Sequence, residues 1–151
     1  MSVEAALAAH LADDDAIYPL VADETFGARV FRVIVPTKCR TFPRITIQQV
    51  PGGEHVRHMT GRSGVGQSVF QIDAWDETVD ANSTRMLSEK IRLSLDAFGH
   101  GTIGIGENTH TVRDIYLEPA PDSYMPPTDG GSRGIFNARV IATVWHDQAT
   151  S

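Results

Sequence analysis

Apolar residues recur along the chain with two spacings, and these spacings predict the elements. Val3, Leu7 and Leu11 return every four residues after Ser2, a residue suited to capping, so a helix is predicted from Ser2 to about Ala12. Asp13–Asp15 end that helix and can cap a short second turn through Ile17 to Leu20. Arg29–Pro36 (RVFRVIVP) is rich in β-branched residues and reads as a strand closed by Pro36. Arg44–Val50 (RITIQQV) reads as a second strand that stops at Pro51-Gly52-Gly53. In Ser68–Trp75 (SVFQIDAW), Phe70, Ile72 and Ala74 face one way while Gln71, Asp73 and Trp75 face the other. Residues 51–67 are long for a structureless loop and form either a functional projecting loop or a hairpin arm; His55-Val-Arg-His58-Met can continue a strand, which favours an arm with its tip near Gly61–Gly66.

The strongest helical pattern covers residues 79–98. Leu87, Ile91, Leu95 and Phe98 fall within about 80° of one another at roughly 100° per residue, which makes one core-facing stripe. Met86, Leu93 and Ala97 form a second, narrower stripe. A helix lying on one sheet needs only one stripe, so the second either packs under a loop or meets another subunit. Gly99–Gly106 ends the helix, Val112–Leu117 reads as a strand, and Pro119–Gly134 reads as a Pro/Gly/Asp-rich loop. Ile135–Trp145 is the last strand, with Phe136, Ala138, Val140, Ala142 and Val144 on its buried face. Helices fall in two places rather than after every strand. The predicted fold is therefore α+β: a single domain over residues 1–151, with a mostly antiparallel sheet of about four to five strands and helices packed on one face.

Composition narrows the class. The 151 residues are 41% hydrophobic and 21% charged, values of an ordinary soluble domain long enough to bury its own core. One cysteine, Cys39, excludes an intrachain disulfide. No apolar run reaches the roughly 20 residues that span a bilayer, and MSVEAALAAHLADDD lacks the basic start and apolar run of a signal peptide. Folding in the cytoplasm, with no membrane partner, is the expectation. The net charge of −6 is uneven: residues 29–62 hold seven Lys or Arg against Glu54 alone, so a +6 segment sits on a −12 remainder. Such polarity bears on partners, either DNA phosphates or the acidic surface of another copy. A protein built mainly to grip DNA is more often basic overall.

The candidate chemistry is thin. The glycines of Gly99–Gly106 follow a helix and precede a strand, the reverse of a phosphate-cradling loop, and no Lys-Ser/Thr pair accompanies them. His55 and His58, with His100 and His110 elsewhere, could ligate zinc only by converging in space, and a His-x-x-His on a strand sends its rings to opposite faces. Asp73, Asp76 and Glu77 could run acid–base chemistry if burial separated them, but Asp76-Glu77 also suit a helix start and Asp73 can pair with an arginine across the sheet. Ser63 lacks a nucleophile elbow, and Cys39, between Lys38 and Arg40, has no identifiable partner base. No cofactor, metal site or catalytic residue is therefore assigned. The expectation is a non-enzyme, with a small metal-dependent hydrolase using His55, His58 and Asp73 as the rival reading and a small nucleic-acid binder as a third.

The order of motifs resembles the tail completion, or tail terminator, family of tailed bacteriophages and related prophage and gene-transfer particles. The resemblance runs through VEAALAAHLADDDAIYPLV, RVFRVIVP, FPRITIQQV, SVFQIDAW, SEKIRLSLDAF, the pair Arg113-Asp114 and the closing Val144-Trp145. Thr37–Arg40 and Pro119–Gly134 are less typical. The resemblance implies a virion protein that assembles in the host cytoplasm as a ring, commonly a hexamer, at the head-proximal end of the tail tube. It would stop tube polymerisation and offer the head–tail joining surface. Its partners would be other copies of itself, the tail tube protein, a head-completion or connector protein, and DNA passing through the lumen. A neighbouring neck or connector subunit is the close alternative. A ring needs two different complementary surfaces on each subunit. Met86, Leu93 and Ala97 on the helix, with Arg62, Ser63 and Val65 in the arm, are the candidate interface; Arg29, Arg32, Arg40, Arg44 and Arg57 are candidate charged contacts.

Overall fold

The structure is a computed structural model that describes residues 3–50, 55–58, 61–78, 81–98, 101–105, 108–126 and 134–147. In chain order the elements are α1 (Val3–Asp13), α2 (Tyr18–Val21), β1 (Ala22–Asp23), β2 (Gly27–Ala28), β3 (Val30–Arg32), β4 (Arg44–Val50), β5 (His55–His58), β6 (Gly61–Thr78), α3 (Asn82–Phe98), β7 (Gly101–Ile105), β8 (Asn108–Pro119), β9 (Ser123–Met125) and β10 (Gly134–Asp147). Eight strands form one sheet in the order β3-β4-β6-β10-β8-β7, with β5 joined to β6 and β9 to β10, while β1 and β2 make a separate ribbon. Within the sheet β3 and β4 run parallel, and the other described pairings are antiparallel.

This corrects the predicted α+β class. The molecule is mostly β, with a mixed eight-stranded sheet where four to five antiparallel strands were expected. The reason lies in β10. It pairs with β6 from Gly134↔Thr78 through Asp147↔Val65, and with β8 along its other edge. A strand with amide and carbonyl groups presented on both edges extends its neighbours, because leaving buried backbone groups unpaired outweighs a weak strand propensity. So β6 is held as strand from Val65 to Thr78 beside β10, and its first residues, which read as a turn, are held by β5, with Gly61 opposite His58 and Arg62 opposite Arg57. By the same logic β7 forms over Gly101 and Gly104, in a segment read as a helix stop, and pairs with β8. β9 forms inside the predicted loop and pairs with β10. The hairpin arm exists, with β5 antiparallel to β6 and His58 opposite Gly61, so Gly61–Gly66 lies within a strand and not at the tip; residues 59–60 lie outside the described residues. β3 is shorter than predicted. It ends at Arg32 because Val33 turns to a φ of +64°.

One core cluster joins the helices to one face of the sheet. Val3, Ala6, Leu7 and Leu11 of α1 and Leu87, Ile91 and Leu95 of α3 bury against Ile45, Ile47, Phe70, Ile72, Ala74, Ala142 and Val144. Each fully buried large apolar side chain here contributes about 1.5–3 kcal/mol relative to exposure. The two helices also meet directly: His10 Nε2 lies 3.1 Å from Ser94 Oγ, and the His10 ring meets Phe98 edge-on at 5.5 Å. Asp14 fixes the corner between α1 and α2, its Oδ1 accepting from the amides of Ala16 and Ile17.

Candidate functional site

Strand alternation gives the sheet a second face, turned away from α1 and α3. The register places Thr46 and Arg139 beside Asp73, Gln48 beside Gln71, and Arg44 and Asn137 beside Trp75. These side chains, with Val33, Val35, Met125 and Ile135, line a cleft of about 350 Å³; Asn137 alone of that set is not among its lining residues. Asp73 is buried and accepts from Arg139 Nε at 2.8 Å and from Gln71 Nε2 at 2.8 Å. The carboxylate is thus matched by one guanidinium, the cross-sheet pairing that the sequence allowed. Trp75 Nε1 donates to Thr46 Oγ1 at 2.9 Å, which fixes the indole plane.

Arg44 is the second cation of the cleft. Its Nη1 donates to the Cys39 carbonyl at 3.1 Å and its guanidinium stacks on Phe42 at 4.1 Å. Its Nε is buried with no hydrogen-bond partner among the described residues, as are both amide atoms of Asn137, a residue only 2% exposed. Two guanidinium groups against one carboxylate leave the cleft with an excess positive charge. A group that binds there is favoured if it carries a negative charge and hydrogen-bond acceptors.

The rim of the cleft is apolar and backbone-strained. Val33 adopts a positive φ, a conformation uncommon for any residue but glycine and an outlier for a β-branched one. Ile34 N–H donates to Arg32 O at 2.7 Å across it, closing a γ-turn, and Val33 N–H donates to Ile47 O at 2.8 Å. Such a conformation costs of order 1–3 kcal/mol and persists only where its surroundings fix it. The turn leaves Val33 55% and Ile34 76% exposed, with Met125 also exposed on β9.

The other predicted site residues scatter. Met86 and Leu93 are half exposed and Ala97 is exposed, on the side of α3 opposite Leu87, Ile91 and Leu95. Arg62, Ser63 and Val65 lie in β6, and Arg57, His55 and His58 in β5, but their side chains fall outside the described part of the structure. His100 lies outside the described residues, as does the side chain of His110. Arg29 is not a surface contact. It is buried, donating to the carbonyls of Pro43, Ala22 and Leu20 and to Asp23 Oδ2 at 3.1 Å. Arg32 and Arg40 are exposed, whereas Cys39 is buried against the Thr41 carbonyl. Asp76 serves α3, accepting from Ser83 Oγ. Among the described residues no cluster of three or more metal-ligating side chains occurs. Sequence reading found Asp73 but missed the cleft around it, since Arg139 comes from β10, Arg44 from β4 and Val33 from the turn after β3, all distant from Asp73 along the chain. The signal present in the sequence was the polar half of each alternating strand, which a sheet with one covered face leaves unaccounted for.

No protein-family profile matches the sequence, and no curated protein sequence matches it. The fold is similar to that of a chain in a solved structure described as "Virion of native gene transfer agent (GTA) particle". The TM-score is 0.68 at 12% identity, over 97% of this chain and 95% of that one. At that identity the likeness establishes a shared fold.

Proposed function

We propose that the chain is a structural subunit of a phage-like particle, a non-enzyme that assembles as a ring, hexameric in the simplest case. It sits at the head-proximal end of the tail tube, ends tube growth and presents the head–tail joining surface. The observation that carries this reading is the fold likeness to a virion chain across nearly the full length of both. Order of motifs supports the finer assignment to tail completion. Two features of the molecule suit assembly: an apolar stripe left exposed on α3 and a cleft on the open sheet face. They lie on different sides, as a head-to-tail ring requires. Its neighbours in this role are further copies, the tail tube protein and a head-completion or connector protein. DNA passes through the lumen without sequence-specific contact. The particle tail is its location after assembly in the host cytoplasm.

Negative-stain microscopy of the purified protein tests ring, symmetry and lumen together. Closed rings with a central opening are expected, and adding the protein to growing tail tubes should fix tube length. A protein that stays monomeric at high concentration, with and without tube present, overturns the reading.

A further inference from the structure

The cleft on the open face needs an occupant with a carboxylate and an apolar or aromatic neighbour. Its floor holds Arg44, whose buried Nε has no partner among the described residues, beside the Arg139–Asp73 pair. Its rim is Val33 and Val35 on one side, with the exposed Ile34 beside them in the same turn, and Met125 on the other. A strained turn that holds two apolar side chains out in water is a poor solution for an isolated surface and a good one for a contact. The same chain carries the complementary feature. At the corner between α1 and α2, Asp13 and Asp15 are exposed, Tyr18 is 48% exposed and Pro19 follows it. Asp14, between the two acids, is spent on the amides of Ala16 and Ile17, so it shapes the corner and leaves its neighbours outward.

We propose that the Asp13–Tyr18 corner of one copy docks into the Arg44/Arg139 cleft of a second copy, with Asp13 or Asp15 meeting the guanidinium groups and Tyr18 covering the Val33-Ile34 turn. The corner follows α1 on the helical side of the sheet, and the cleft opens on the opposite side. A subunit therefore cannot fill its own cleft, and the contact runs head to tail. Charge favours a protein carboxylate over a nucleic-acid backbone. The cleft is a single hollow with a carboxylate of its own, whereas a phosphate backbone is tracked by a line of exposed cations. This inference deepens the self-assembly reading and rests on it.

The test is a cysteine pair, Tyr18→Cys with Ile34→Cys, in the full chain under mild oxidation. Both positions are exposed, so the fold is preserved, and Cys39 is buried. The double variant should form a ladder of covalent oligomers extending past the dimer, while each single variant stops at the dimer. In parallel, Asp13→Lys/Asp15→Lys should keep its thermal stability and weaken self-association by at least on the order of tenfold. Wild-type rings without a ladder in the double variant overturn the docking and leave the ring standing. Absence of both rings and ladder overturns both. Retention of duplex DNA by the wild type, abolished by Ile34→Asp with the oligomer unchanged, assigns the cleft to a phosphate backbone and also overturns the docking.

Discussion

At the scale of single residues, the most consequential side chain is one that charge counting places on the surface. Arg29 belongs to the basic stretch, yet its guanidinium ties together the carbonyls of Leu20, Ala22 and Pro43 and the Asp23 carboxylate. Arg29→Met removes the donors to three carbonyls, while Asp23 keeps the amides of Thr25 and Phe26. A stability loss of about 1–3 kcal/mol, from the carbonyls left without their donor, is expected by urea denaturation. Gly134 makes a different case. A Cβ there runs into the Tyr124 ring, which itself stacks on Phe136 at 4.5 Å. Gly134→Ala should therefore displace the half-exposed tip of Tyr124 and cost about 1 kcal/mol, with Gly134→Ala/Tyr124→Ala removing the clash. Neither role was legible in the sequence, because each depends on groups that are distant along the chain. Asp73 was half legible: its possible pairing with a cross-sheet arginine follows from strand alternation, but the identity of Arg139 needs the register.

At the scale of elements, α3 was largely readable: Leu87, Ile91 and Leu95 of its predicted core stripe are buried and Phe98 packs half-buried against the core, while the buried Thr84 lay outside the predicted stripe. The sheet was not, because strand length here is set by the partner along each edge (β10 for β6 and β8, β5 for the start of β6, β8 for β7) and not by local propensity, and glycine-rich segments gave the wrong sign. The two stripes of α3 predict opposite consequences for the same substitution. Ile91→Asp buries an unpaired charge and should unfold the subunit. Leu93→Asp, at a position 52% exposed, should leave the fold intact and weaken oligomers, as should Met86→Asp. Circular dichroism paired with size-exclusion chromatography separates the cases, and intact rings from Leu93→Asp would remove that face from the interface. The contact between α1 and α3 adds a pH dependence. Burial lowers the His10 pKa from its ordinary 6.5, opposed by the Ser94 contact and by Asp14 and Asp13. The unfolded chain then binds a proton more readily than the folded one, so stability is complete above 6.5 and falls as pH drops from there toward the folded-state value. His10→Gln should flatten that decline in thermal melts between about pH 5 and 7.

For the whole molecule, the contrast between a +6 segment and a −12 remainder needs revising by what the fold does with it. Arg29 is consumed internally by Asp23, and Arg139, from outside the segment, neutralises Asp73. The polarity that reaches solvent is therefore smaller than the sequence sum, and it is local: an excess cation in the cleft against exposed acids at the α1–α2 corner. Local complementarity of this kind has a definite ionic-strength signature. Partly exposed charge pairs weaken as the screening length falls from roughly 14 Å near 0.05 M salt to about 4 Å near 0.5 M, whereas burial of the Met86 and Leu93 stripe is insensitive to salt or strengthened by it. If the charged contact governs association, the dissociation constant from sedimentation velocity should rise by on the order of tenfold across that range. The dependence should vanish in Asp13→Asn/Asp15→Asn, reverse in Asp13→Lys/Asp15→Lys, where screening relieves a repulsion, and persist in Leu93→Asp, which touches only the apolar stripe. A salt-independent wild type would instead make α3 the interface that closes the ring.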